Sequence, residues 1–213
     1  MNNFKIEDFD VVKFDEILGR GLSLGLGEQG GQVCIEAAVC EVLGLTHSDD
    51  PQCITQAVRN FKLILNDSKW SSPEVRAKSL RDLGLAQLGS LGVVNGEEFD
   101  KRMAEKTIRV ILPKLFRELW PEDEKMLAVA LRCEQEGTKE AAKAAAKAAF
   151  SFPSSAFSFA VTCCNDRAAA WAAGDAAGTA ANSDEYLNLS AQLALETLRE
   201  LESPGIKFLR EAE

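Results

Sequence analysis

Residues 30–44 read GGQVCIEAAVCEVLG, and this stretch decides the fold. Between Val33 and Leu43 only Glu36 and Glu41 are polar. A helix that is apolar almost all round lies inside a protein, where other helices cover it. The stretch therefore predicts a buried central helix around which the rest of the chain packs.

The flanking sequence predicts further helices and no strands, because apolar residues recur at helical spacing without period-two alternation. Capping residues and prolines mark the expected starts of these helices. The starts are at Asp10, Asp50–Pro51, Ser72–Pro73, Asn95, Pro121, Thr138 and Asn182 or Ser183. Pro113 is expected to kink or break its helix. The prediction is an all-α, compact bundle of about seven to nine helices around the central one.

The second predicted helix has one apolar face and one polar face. Its buried stripe contains Ile54, Val58, Phe61 and Leu65. Arg59 and Lys62 are assigned to the solvent-exposed side of this helix.

Composition favours a single domain, residues 1–213, or the same body divided into a core part, 1–120, and an alanine-rich part, 121–213. Hydrophobic residues make up 46% of the chain, which is enough for a real core. No apolar run reaches the roughly 18 residues of a membrane span, and the acidic start lacks a secretory pattern. We therefore expect a cytoplasmic protein whose six cysteines are reduced and buried.

The net charge of −9 is unevenly distributed along the chain. Residues 1–50 carry 3 basic and 10 acidic side chains, residues 51–120 carry 12 and 8, and residues 121–213 carry 9 and 15. No basic stripe with interleaved aromatic residues exists and the acidic ends would repel phosphate, so a nucleic-acid partner is not expected. The basic middle leaves room for one local anion site.

That anion site is predicted at the start of the third helix. Its free N–H groups could receive an anion, a tryptophan offers a stacking face, and nearby basic residues supply charge. The residues predicted to bind a phosphate-bearing small molecule are Arg59, Lys69, Trp70, Ser72 and Arg76. The alternative is a tryptophan that packs beside an ordinary capped helix.

Cys34 lies near the start of the central helix, where the helix dipole lowers a thiol pKa. A cysteine nucleophile needs a histidine base in contact with its sulfur, and His47 is the one histidine in the chain. A continuous helix would put His47 about 20 Å from Cys34. We therefore expect Cys34 to be a structural residue and assign no catalytic residues.

A metal site is a lesser hypothesis. Cys40, His47, Asp49 and Cys53 have the ligand chemistry that zinc prefers, but their spacing matches no compact zinc motif. The alternative is that Asp49 and Asp50 cap the next helix while His47 bonds within the turn. No cofactor is predicted.

Two other patterns have a structural and a functional interpretation. Glu36 and Glu41 are expected to pair with arginines such as Arg59 or Arg81, and the alternative is a carboxyl group with a raised pKa in a cleft. Residues 21–27 read GLSLGLG, which lacks the dinucleotide-binding pattern and is interpreted as a flexible connector.

The alanine-rich end of the chain, from Thr138 to Leu201, resembles the all-helical Imm-5-like group of predicted bacterial immunity proteins. Its alanine pairs are punctuated by aromatic residues and followed by a leucine-striped last helix. The aromatic residues are Phe150, Phe157, Trp171 and Tyr186. Residues 30–53 and 70–73 are similar to an uncharacterised bacterial or phage family. The resemblance implies a protein that neutralises another protein by binding it, and it assigns no functional residue.

Three functions follow from these patterns. The leading hypothesis is a non-enzymatic helical protein that binds and neutralises or regulates a protein partner, as an immunity, anti-defence or inhibitor protein does. The alternative is a binder of a nucleotide-like anion near Trp70. A metal-dependent or cysteine enzyme is the third hypothesis.

Overall fold

A computed structural model of the chain describes residues 6–149 and 183–209. Within these ranges the protein is helical and has no strand, which confirms the predicted all-α class. The helices are α1 (Val11–Leu18), α2 (Ile35–Val42), α3 (Gln56–Asn66), α4 (Pro73–Ala86), α5 (Gly96–Lys106), α6 (Leu112–Leu119), α7 (Glu124–Glu136), α8 (Lys139–Ala149) and α9 (Ser183–Glu200). A π-helical segment, Thr107–Ile111, joins α5 to α6, and short 3₁₀ turns lie at Ile6–Asp8 and Pro204–Phe208.

Two compact units divide the chain. The first contains Met1–Phe99 and Ala194–Glu213, and the second contains Asp100–Leu193. In the first unit α2 packs against α1, α3 and α4; in the second, α7 packs against α6, α8 and the π-helical segment. The second unit thus begins at Asp100, ahead of the subdivision at residue 120 that composition suggested.

The central helix α2 is the innermost helix of the first unit. Every residue from Ile35 to Cys40 is buried, as the apolar run 33–43 predicts. The helix begins one residue after Cys34, whose Sγ accepts a hydrogen bond from Ala37 N at 3.3 Å and so caps the first turn. Burial of both faces explains why this stretch tolerates only two polar residues.

Local capping signals position most helix starts correctly. Ser72, Asn95 and Thr138 each accept a hydrogen bond from the backbone N–H three residues later. The predicted start of a helix at Asp50–Pro51 is wrong, since α3 begins at Gln56. Gln52 has a φ of 58°, a left-handed conformation that no α-helix can contain.

Pro113 does not break its helix. The π-helical segment Thr107–Ile111 directly precedes α6, and Pro113 lies in the first turn of α6. The π turn changes the hydrogen-bond register before Pro113, so the N–H that proline lacks is not required. The chain from Gly96 to Leu119 therefore remains helical throughout, which keeps residues 100–119 with α7 in one unit.

The chain after α9 folds back onto α4 within the first unit. Ser203 Oγ donates a hydrogen bond to Ala86 O at 2.5 Å, and Gly205 packs against the end of α4. The Phe208 ring lies 5.8 Å from the Phe9 ring, and Lys207 Nζ lies 3.0 Å from Glu7 Oε1.

The alanine-rich end is only partly described. α8 buries a face made entirely of alanine, and in α9 the buried Tyr186 donates a hydrogen bond to Glu118 Oε2 at 2.6 Å. Phe150, Phe157 and Trp171, the other aromatic residues of the predicted pattern, lie outside the described residues. None of the helices described in 6–149 and 183–209 has the length and apolarity needed to cross a bilayer.

Candidate functional site

The predicted anion site around Trp70 is occupied by the protein's own contacts. The Trp70 ring is buried and its Nε1–H donates to Leu65 O at 2.9 Å. Arg76 is also buried, and its Nη1 donates to Leu22 O at 2.7 Å. Neither the ring face nor this guanidinium edge is open to a ligand in the described structure.

The remaining residues of that prediction have similar roles. Ser72 caps α4. Hydrogen bonds from its hydroxyl and from the backbone N–H of Glu74 lower the pKa of the Glu74 carboxyl. A carboxylate of the chain itself therefore already lies at this helix start. Arg59 Nη2 binds Asp49 Oδ1 at 2.6 Å, and Lys69 is exposed to solvent. These contacts match the alternative interpretation, a tryptophan packed beside a capped helix.

The four candidate metal ligands have separate partners. Cys40 Sγ lies 3.6 Å from Ser48 Oγ, and His47 Nε2 lies 3.2 Å from the Gly27 carbonyl oxygen. Asp49 binds Arg59, while Cys53 Sγ is hydrogen-bonded at the backbone of Gly89. Within the described part of the chain, no three histidine, cysteine or acidic side chains converge on a point where a metal could bind.

The acidic residues of α2 pair with different bases from those predicted. Glu36 lies 3.0 Å from Lys62 Nζ, and Glu41 lies 3.4 Å from Arg20 Nη1. The predicted partners Arg59 and Arg81 bind Asp49 and Asp15 instead. The prediction that Glu36 and Glu41 pair with arginines of neighbouring helices was therefore wrong for Glu36, whose partner is a lysine.

The Glu36–Lys62 pair is fully buried, which corrects the assignment of Lys62 to the exposed side of α3. Burial raises the pKa of Glu36 and lowers that of Lys62, and the opposite charge of the partner acts against both shifts. Gln87 Nε2 donates to the second Glu36 oxygen at 2.9 Å. Since both charged side chains are shielded from solvent, the pair is a structural element rather than an acid–base site.

Cys34 is buried as a structural thiol, as predicted. Its burial raises the pKa of the thiol from 9.0 to about 11. The described cysteines Cys34, Cys40, Cys53 and Cys133 are all free and buried.

We expect these four thiols to resist alkylation in the folded protein. For Cys34, a pKa raised from 9.0 to about 11 leaves roughly 100-fold less thiolate at neutral pH, and for all four thiols burial blocks access by the reagent. Iodoacetamide treatment at neutral pH, read by peptide mass spectrometry, should leave them unmodified until denaturant is added. Rapid alkylation of Cys34 or Cys40 in protein that retains its helical circular dichroism would contradict this.

The surface feature that the structure adds is the glycine loop, defined as residues 22–33 between α1 and α2. It exposes 63% of Leu24 and 40% of Leu26, within a run of exposed residues from 24 to 30. Its backbone folds back on itself: Ser23 N donates to Val33 O at 3.0 Å, and Cys34 N donates to Leu26 O at 3.1 Å. The loop is therefore an ordered element and not the flexible connector that its composition suggested.

Glycine is required inside the loop at Gly27. This residue has a φ of 76°, and a Cβ added there would overlap Gln32 O and Ser23 Oγ and lie 2.7 Å from Val33 Cα. The close approach of Gly27 to the opposite side of the loop brings residues 23 and 33 within hydrogen-bonding range. Any side chain at this position would force the loop open.

Two residues at the C-terminal end of α3 hold the glycine loop by side-chain hydrogen bonds. Asn66 Nδ2 donates to Ser23 O at 3.0 Å, and Asp67 Oδ1 accepts from Gly25 N at 2.9 Å. Asn66 and Asp67 are not among the predicted site residues. The one signal that could have indicated their role is the alternation of glycine and leucine in residues 21–27, which is unusual for a solvated linker.

Comparison of the chain with protein-family models, with curated proteins and with solved structures found no match. The function must therefore be inferred from the described residues alone.

Proposed function

We propose that this chain is a non-enzymatic helical protein that binds a protein partner and neutralises or regulates it, in the manner of an immunity, anti-defence or inhibitor protein. The observation that supports the proposal is the glycine loop. A single exposed leucine is ordinary on a protein surface, but Leu24 and Leu26 are exposed together on a backbone that hydrogen bonds hold in one conformation. A preordered apolar surface loses little conformational entropy on binding.

The state of the chemically capable groups also favours binding over catalysis. Cys34 is buried with a raised pKa, and the carboxylate of Glu36 is engaged by Lys62 and Gln87. These side chains therefore stabilise the first unit and have no open path to a substrate. Such packing makes the first unit a rigid scaffold on which a surface loop can act.

The charge of the first unit suggests the character of the partner. Residues 1–50 carry seven more acidic than basic side chains, and Glu28 is exposed on the loop itself. A partner with basic groups around an apolar depression would complement this surface. Free thiols at all four described cysteines support a reducing, cytoplasmic location for the encounter.

Affinity capture from a lysate of the source organism tests the proposal. The immobilised wild-type protein should retain a partner in stoichiometric amount, more strongly at low salt than at high salt. The double substitution Leu24→Asp, Leu26→Asp should abolish that retention, because it places two charges where the partner buries apolar surface. Val12→Asp is the matched control, since Val12 is 70% exposed on α1 and lies outside the loop.

The comparison between variants decides the outcome. Loss of the partner in the loop variant, with retention by Val12→Asp, supports the glycine loop as the binding surface. A partner retained equally by both variants, or no stoichiometric partner at either salt concentration, contradicts the proposal. Circular dichroism and thermal unfolding of both variants establish that each is folded.

A further inference from the structure

We infer that Asn66 and Asp67 are positioning residues for the glycine loop, which fix it in the conformation that exposes Leu24 and Leu26. The inference rests on the proposed function for its biological meaning, since it identifies what gives the binding surface its shape. The fixation itself is a property of the isolated protein and can be measured without a partner.

One carboxylate oxygen of Asp67 holds the turn at Gly25. Asp67 Oδ1 accepts two hydrogen bonds, from Gly25 N at 2.9 Å and from Asn66 Nδ2 at 2.8 Å. Gly25 lies between the two exposed leucines and has a φ of 61°. A charged acceptor placed on this amide stabilises the turn that directs the neighbouring side chains outward.

The Asn66 side-chain amide is fixed in one orientation by its hydrogen bonds. Asn66 is fully buried, and its Nδ2 group donates both to Asp67 and to Ser23 O at 3.0 Å. Its Oδ1 atom accepts from Ile35 N at 3.3 Å, at the first turn of α2. Three hydrogen bonds to one buried amide leave it a single orientation.

These contacts couple the loop to the core. Ile35 N is one of the free N–H groups at the start of α2, and Asn66 satisfies it with the same side chain that holds Ser23. A loop that leaves its described conformation would lose the bonds to Ser23 and Gly25 and would disturb this cap. The buried start of α2 therefore opposes opening of a surface loop.

Amide hydrogen exchange of the purified protein tests the inference. In the wild type the Ser23 and Gly25 amides should exchange slowly. In Asp67→Ala the Gly25 amide should exchange at least about tenfold faster, because a hydrogen bond to a charged acceptor contributes more than the free energy of a tenfold change. Asp67→Asn keeps an acceptor oxygen and should restore most of the protection.

Two further variants make the result specific. Gly27→Ala should accelerate exchange across the loop by a different route, the overlap with Gln32 O. Asn60→Ala, an exposed site on the same helix, should leave every loop amide at its wild-type rate. Asp67 is exposed, so Asp67→Ala should keep the wild-type urea midpoint within a small margin.

Wild-type exchange at Gly25 and Ser23 in Asp67→Ala would overturn the inference. So would acceleration spread uniformly over α2, α3 and α4, since that pattern reports general destabilisation. Failure of the proposed function is separate from both outcomes. In that case the capture experiment would yield no partner, while the exchange rate of the Gly25 amide would still increase in Asp67→Ala.

Discussion

Replacing Lys62 with methionine is expected to lower the free energy of unfolding by about 3–5 kcal/mol, because removal of one member of a buried ion pair leaves the other charge without compensation. The remaining Glu36 carboxylate would be fully buried with only Gln87 as a polar partner. Urea unfolding followed by far-ultraviolet circular dichroism measures the change. Lys69→Met, an exposed lysine just beyond the same helix, is the matched control and should change the value by less than about 0.5 kcal/mol.

The effect of this substitution should depend on pH. Without Lys62, the pKa of Glu36 in the folded state rises further above its unfolded value near 4.3. A folded-state pKa above the unfolded one gives stability that is fully present below the unfolded pKa and is lost as pH rises through the folded pKa. The deficit of Lys62→Met should therefore widen as the pH rises above the unfolded-state pKa of Glu36, near 4.3, and adding Glu36→Gln should remove that dependence. A deficit below about 1 kcal/mol at neutral pH would contradict the role given to the pair.

Gly205→Ala is expected to cost about 2–3 kcal/mol, since overpacking against backbone cannot be relieved by a side-chain movement. A Cβ at this position would overlap Leu85 O and lie 2.8 Å from both Ala86 O and Leu88 N. The 3₁₀ turn Pro204–Phe208 would have to leave the end of α4. Urea unfolding measures the loss, and faster amide exchange at Phe208 locates it.

Gly31→Ala is the control for that substitution. The nearest atom to its added Cβ is Glu28 O at 3.4 Å, an ordinary contact. Its free energy of unfolding should stay within about 1 kcal/mol of the wild type. Equal losses in Gly205→Ala and Gly31→Ala would show that the turn is not held by close contact with α4.

The helical class and the buried helix α2 could be predicted because their signals are local. The run 33–43 is apolar on almost all sides, which indicates a buried helix. Ser72, Asn95 and Thr138 each precede a helix and accept a hydrogen bond from a free N–H group of its first turn. The start of α3 could not be predicted in this way. It depends on the left-handed Gln52 and on hydrogen bonds between Thr55 and Ser90, which are 35 residues apart in sequence.

Lys62 shows why a helical stripe alone did not locate the buried charge. It follows Val58 by four residues and precedes Leu65 by three, so it lies on the buried face that those residues define. The sequence analysis nevertheless assigned Lys62 to the exposed side, because lysine is almost never fully buried unless it is paired. Glu36, in the first turn of the buried and otherwise largely apolar helix α2, was the signal that such a partner was needed.

The candidate binding surface was missed for a different reason. Glycine content indicates conformational freedom in the unfolded chain, but it does not show whether tertiary contacts remove that freedom. In residues 22–33 the contacts come from Asn66 and Asp67 and from Gly27, which has no room for a side chain. Apart from the alternation of glycine and leucine in residues 21–27, such contacts between distant segments carry no local sequence signal.

The pairing of Phe9 with Phe208, and of Glu7 with Lys207, brings the two described ends of the polypeptide side by side. The first unit is therefore discontinuous in sequence: its last described segment joins it only after the whole of the second unit along the chain. Closing so long a loop costs conformational entropy that these late contacts must repay.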